Sequence, residues 1–231
     1  MRKLKKMFAA LLTLCLIFGL STTAFAATTN DSDVPTPNAD FINVCDQIFD
    51  GNGEAYTASG IDVTASFIST YSSAYQNGDY ATILAGCYSD NISQLDGHKS
   101  IASNASTRAV LQLSYEESKV HLVTQNGFPY DGKNWYLVVT ATGTYGYQDS
   151  TGQIISFPSP TINVSFSDLG ALFSGSLDSI RTTTPSINSS KTSTSFTVTT
   201  THTVSCPIPG VDYVTGTLGP FTNTSNFTIT P

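Results

Sequence analysis

The chain has 231 residues, 17 acidic against 10 basic, for a formal net charge of −7. Arg2, Lys3, Lys5 and Lys6 precede an apolar run from Met7 to Leu20, the layout of a secretory signal too short for a comfortable membrane span. Cleavage after Ala24-Phe25-Ala26 removes four basic and no acidic residues, so the charge deepens from −7 to −11, a balance that repels phosphate backbones and anionic lipid and argues against nucleic-acid partners.

Residues 1–26 therefore read as a signal peptide of bacterial style, and the mature chain begins at Ala27. The expectation is an extracellular protein, released or loosely held at the envelope, with no stable membrane insertion. Ala27 to Asn38 is rich in Thr, Asp and Pro and reads as a flexible leader. Ala39 to Phe49 then carries Phe41, Ile42, Val44, Cys45, Ile48 and Phe49, a short helix with Asn38 or Asp40 as its cap. Asp50-Gly51-Asn52-Gly53-Glu54 alternates oxygen-bearing side chains like a calcium loop. It lacks the distal bidentate carboxylate, so it reads as a glycine-rich turn.

Asp62 next caps a helix whose Phe67, Tyr71 and Tyr75 fall four apart on one stripe. Asn77-Gly78 stops it, because glycine reaches positive φ without a Cβ clash. Asp79 caps a second helix with Ile83, Leu84, Cys87 and Tyr88 on its apolar side, ending at Ser89-Asp90-Asn91. So short a join makes a helical hairpin. The order YSSAYQNGDYATILAGCYSDN, from Tyr71 to Asn91, resembles the opening helices of the NTF2-like (SnoaL-like) superfamily. Gly97 to Ile101 is similar to that family's lead-in to its third helix. The resemblance covers about residues 61–150. It implies a curved sheet wrapped by helices into a cone with an internal pocket. Members include enzymes and non-catalytic binders, and no catalytic residue carries over.

Ser100 to Tyr115 fits a helical turn and then a strand, and Glu116-Glu117 reads as a charged turn before a strand from Lys119 to Gln125. Trp135, Leu137, Val139, Ala141 and Tyr145 alternate with Tyr136, Val138, Thr140, Thr142 and Thr144. That pattern predicts a sheet with one apolar and one solvated face. A turn at Gln148–Gly152 leads to a strand from Ile154 to Phe157, and Thr161 to Phe166 makes another. Leu169, Leu172, Phe173, Leu177 and Ile180 recur at helical spacing behind Ser167 or Asp168. Residues 182–194 read as a loop or linker, and 195–231 as Thr-rich strands, part of the same domain as 39–181 or a small appendage. The fold class is α+β, an N-terminal helical hairpin packed on a largely antiparallel, Thr-rich sheet.

The chemistry is sparse. His98, His121 and His202 are too far apart in sequence for a local zinc pair, and no Gly-x-Ser-x-Gly elbow or phosphate-cradling loop occurs. Glu116 and Glu117 are adjacent, and neighbours on a strand face opposite ways, so they do not flank one bond. Cys87 lies on a helical stripe, which makes Cys45 and Cys206 the better disulfide pair, with other pairings or three free thiols as the alternatives. Trp135, Tyr145 and Tyr147 share a face with Tyr136 nearby, either as core beneath the helices or as a stacking surface for a sugar or apolar ligand. His121 alternates outward from Val120 and Leu122, where it would line a concave sheet face, although a solvated or hydrogen-bonded strand histidine is the preferred reading. No metal or cofactor is expected. The leading reading is a secreted, non-catalytic binding protein for a ligand or envelope component. The alternatives are a pocketed NTF2-like enzyme acting on a small molecule, and an adhesion or matrix protein.

Overall fold

Asn38 starts the first helix. Its side chain accepts a hydrogen bond from the Phe41 amide at 2.8 Å, satisfying one of the donors that a helix start leaves open. The computed structural model describes residues 34–101, 110–126, 132–167, 174–208 and 214–231. The expected signal peptide and most of the expected leader lie outside them, as do 102–109 and 168–173. Helix α1 runs Ala39–Phe49 and buries Phe41, Val44, Cys45 and Ile48, one stripe at the helical period. Gly51, at φ 80°, turns the chain into a short strand β1, Gly53–Thr57, absent from the sequence reading.

The hairpin forms as expected, with one shift. Helix α2 spans Thr64–Gln76, and Val63 is its cap residue. Asp62 stands one position earlier and accepts from both the amide and the hydroxyl of Thr64. Gly78, at φ 68°, makes the turn, and Asp79 caps α3, Tyr80–Ser89, through the Thr82 amide at 3.0 Å. Phe67 and Tyr71 of α2 and Ile83, Leu84 and Cys87 of α3 are buried, while Tyr75 stacks on Phe49 of α1.

Six antiparallel strands form the first sheet: β1, β2 (Ile92–Ile101), β3 (Leu111–Gln125), β4 (Lys133–Gln148), and β5 (Gln153–Ser156) and β6 (Thr161–Phe166), which both pair with β4. Glu116-Glu117 is therefore not a turn. Both residues sit inside β3, paired with Thr142 and Ala141 of β4. Gly97 to Ile101, read as the approach to a helix, belongs to β2.

A second sheet holds β7 (Ser174–Thr182), β8 (Ser186–Ile187), β9 (Thr194–Pro207) and β10 (Thr215–Ile229), in the order β10-β9-β7 with β8 also on β9. The helix expected over Leu169 to Ile180 is thus replaced, from Ser174 on, by strand β7. Leu177 and Ile180 stay over a third exposed, so the described part of the expected stripe is not buried. Pairing with β9 satisfies the backbone instead. Gly175 suits that arrangement, because a Cβ there would come within 2.7 Å of the Phe166 ring. Residues 182–194 are the end of β7, β8 and a turn in which Asn188 accepts from the Thr192 amide.

The layers are helices, first sheet, second sheet. On one side Val120, Leu122, Tyr136 and Val138 pack with the helices; on the other Leu137, Val139, Ala141 and Tyr145 pack with Phe196, Val198, Phe227 and Ile229 of the second sheet. The sequence reading of β4 named the two faces correctly but covered them wrongly. Its apolar side lies under the second sheet rather than the helices, and Tyr136 and Val138 on the supposedly solvated side are fully buried. Alternation shows which residues share a face and not what covers it. Residues 195–231 supply Phe196, Val198, Phe227 and Ile229 to this inter-sheet core, and Val34–Pro231 makes one compact unit.

Phe227 is fully buried and stacked on Phe196. Phe227→Ala is expected to cost about 3–5 kcal/mol in urea denaturation. Thr224→Ala, an exposed position on the same strand, should stay within about 0.5 kcal/mol. Equal losses would contradict the assignment of the inner face of β10.

Candidate functional site

The side of the first sheet that meets the second sheet changes character from strand to strand. On β4 it presents Leu137, Val139 and Ala141; the partners of these on β3 are His121, Lys119 and Glu117, and beyond them on β2 stand Gln94, Asp96 and His98. Glu54 of β1 pairs with Asp96, and Tyr56 with Gln94. The apolar half is sealed by β9 and β10. The polar half forms the floor of a cleft of about 470 Å³, walled by Asn226, Thr228 and Thr230 and closed at one end by Gly51 to Gly53.

The register that aligns β2 with β3 sets two acid–base pairs directly across the ladder, an ion pair and a histidine–carboxylate hydrogen bond. Lys119 Nζ donates to Asp96 Oδ2 at 2.5 Å, and His98 Nδ1 meets Glu117 Oε1 at 2.7 Å. Gln94 Nε2 donates to the other Asp96 oxygen at 2.8 Å, and the Tyr56 hydroxyl donates to Glu54. The Lys119 ammonium also stands 5.7 Å from the Phe227 ring centre. Glu117 is buried, whereas His98 is about a third exposed and lines the cleft. The hydrogen bond to Glu117 raises the His98 pKa against the opposing effect of burial. Glu54 likewise holds the Tyr56 phenol far above its usual value, so it remains a neutral donor. Glu116 points the other way, accepting from Asn43 of α1.

The residues singled out from sequence lie elsewhere. Trp135 is buried against Phe221, and its Nε1 donates to His202 Nε2 at 3.3 Å. Tyr145 fills the inter-sheet core with Tyr115 and Phe157, and Tyr147 lies half-buried at its margin. Tyr136 is on the helix side, where its hydroxyl accepts from the Asn38 amide and donates to the Thr36 carbonyl. His121 shares the cleft's face but is buried, with Nε2 bonded to Ser225 Oγ at 2.7 Å. No open surface gathers these five side chains.

Cys45, Cys87 and Cys206 are buried free thiols. Cys45 and Cys87 share the helix-side core and Cys206 is on the inner face of β9, so the first sheet stands between Cys45 and its expected partner. Burial raises the Cys45 and Cys87 thiols well above their usual range, which keeps them unreactive. Among the described residues, no three His, Cys, Asp or Glu side chains converge as a metal site.

Sequence reasoning passed over Tyr56, Asp96 and Lys119, weighed Glu54 only within a calcium-like turn, and never joined His98 to Glu117. The available signal was Asp-x-His in one segment and Glu-x-Lys in another, whose charges match when the segments run antiparallel. No protein-family model, curated protein or solved structure matches this chain.

His121 and His202 sit in the seam between the sheets. Burial, then the Lys119 and His202 charges, push His121 down to about 4, and burial lowers His202 as well. Unfolded histidines titrate near 6.5, so between that pH and 4 the unfolded chain binds more protons. Stability is therefore full above about pH 6.5 and falls as the pH drops, by on the order of 3 kcal/mol for His121. Urea midpoints measured from pH 7 to 4 should fall, and His121→Gln should flatten the decline. An unchanged slope in that variant would place the acid sensitivity in other groups.

Proposed function

We propose that this is an exported, non-catalytic binding protein that takes a polar ligand, free or part of the cell envelope, in the cleft between β1–β3 and β10. The observation that carries this reading is the Lys119–Asp96 ion pair and the His98–Glu117 hydrogen bond, set side by side across the strands in an open cleft beside a sealed core. Their groups are held in place by backbone register and by one another before any ligand arrives. Such preorganisation reduces the ordering cost of binding. The volume falls in the range of small-ligand sites. Three carboxylates, Glu54, Asp96 and Glu117, outnumber Lys119 and His98, so neutral or cationic ligands fit better than anionic ones. Export rests on the signal-like N-terminus. Kinship with the NTF2-like superfamily belongs to the same reading and is supported by the α2–α3 hairpin ahead of the long strands.

An enzymatic use of the cleft is the second reading. It is favoured by buried Glu117 orienting His98 through Nδ1, an arrangement that suits a general base. Turnover of a small molecule that His98→Asn abolishes would replace the binding reading with this one.

The deciding experiment screens the full chain against arrays of neutral, cationic and anionic oligosaccharides and peptides. Neutral or cationic members should be retained, and the double variant Asp96→Asn, Glu117→Gln should bind them about tenfold more weakly. Retention of anionic members alone, or binding indifferent to the double variant, would overturn the assignment of the cleft.

A further inference from the structure

The two sheets do not match in width. Residues of β9 and β4 meet where Trp135 bonds to His202. Strand β10 lies over β3, where Ser225 bonds to His121 and Phe227 packs beside Lys119. The first sheet continues past β3 with β2 and β1, whereas among the described residues the second stops at β10. One strand position therefore stands open above β2, and the cleft occupies it.

Both boundaries of that position suit a strand. Among the described residues β10 pairs with β9 alone, so one side of its backbone has no ladder partner. Thr222, Thr224, Asn226 and Thr228 along it are exposed. A strand added there would lie roughly 4.8 Å from β10 and about 10 Å above the first sheet. Its alternate side chains, nearly 7 Å apart, would point down to the floor. The floor offers Glu54, Asp96 and Glu117. Asp96 already neutralises Lys119, while among the described residues Glu54 has only the neutral Tyr56 hydroxyl as its hydrogen-bond partner.

Resting on the binding reading above, we propose that the ligand is an extended peptide segment with Lys or Arg at alternate positions. It adds to the free edge of β10 as a fifth strand of the second sheet and sets its basic side chains over Glu54, Asp96 and Glu117. Main-chain pairing supplies sequence-independent affinity, and the charged floor selects the alternation.

Fluorescence anisotropy of the full chain with a labelled Thr-Lys-Thr-Lys-Thr-Lys-Thr peptide tests this. The peptide should bind with a Kd on the order of 10–100 µM at moderate salt, and more weakly as salt rises. A Glu-for-Lys version should bind about tenfold more weakly, as should a version N-methylated on alternate amides, which keeps the charges but loses the ladder. Glu54→Gln, at the sheet margin, should weaken binding several-fold, as should Glu117→Gln in protein checked for native stability. Hydrogen exchange of the β10 amides should slow in the complex. Equal binding of the Glu or N-methylated peptides, or unchanged exchange on β10, would overturn the proposal. Cellobiose serves as the neutral arm. Its Glu117-dependent binding without peptide binding would overturn the strand-addition proposal and leave the binding reading standing. Failure of every class would overturn both.

Discussion

Everything in this protein hangs on the ladder between β3 and β4. The two strands pair without interruption from Leu111 opposite Tyr147 to Gln125 opposite Lys133. So long a pairing fixes the parity of every side chain on both strands, and a slip of one residue would exchange the two faces. Here such a slip would move Leu137, Val139 and Ala141 out of one core and Tyr136 and Val138 out of the other. A central sheet buried on both faces specifies its register more strongly than one with a solvated side. The helices and the second sheet each find a complementary surface already defined by that parity.

The polar cleft is a consequence of the same geometry. Charge is costly inside a sandwich unless it is paired and hydrogen-bonded. The chain confines it to β1–β3 at one margin, where Asp96 meets Lys119 and Glu117 meets His98. Buried Glu117 has a partner, and partly exposed His98 keeps contact with solvent. Deeper in, His121 and His202 are held neutral by burial. Their bonds to Ser225 and Trp135 join β3 to β10 and β4 to β9. One sheet face thus grades from aliphatic core through neutral polar seam to ionic cleft.

Much of the fold was legible in the residues. The caps at Asn38 and Asp79, the Gly78 turn and the stripes of α1 to α3 depend on neighbours within one or two helical turns, and the structure bears them out with a small shift at Asp62. The strand around Trp135 was legible from strict alternation. Strands β1 and β2 were not, because Glu54, Tyr56, Asp96 and His98 line the cleft and only Ala55, Ile92 and Leu95 supply buried apolar side chains. The stretch around Leu177 misled for another reason. Its spacing suits a helix, but a weak local preference yields to a full ladder with β9. The candidate site was invisible as a unit, since Glu54, Asp96 and Lys119 have no meaning until three strands are aligned.

The sequence by itself determined the local conformations: which segments turn, where helices begin and stop, and which residues of a strand share a side. Those outcomes follow from sterics and hydrogen bonds within a few residues. Only the tertiary structure decided what covers each face, that Trp135 meets the second sheet and Tyr136 the helices, and that Cys45 and Cys206 lie on opposite sides of the first sheet. It also decided that Asp96 stands opposite Lys119 and His98 opposite Glu117. These are matters of register and layer order, set by the burial of apolar surface summed over the whole chain, which no short stretch of residues records.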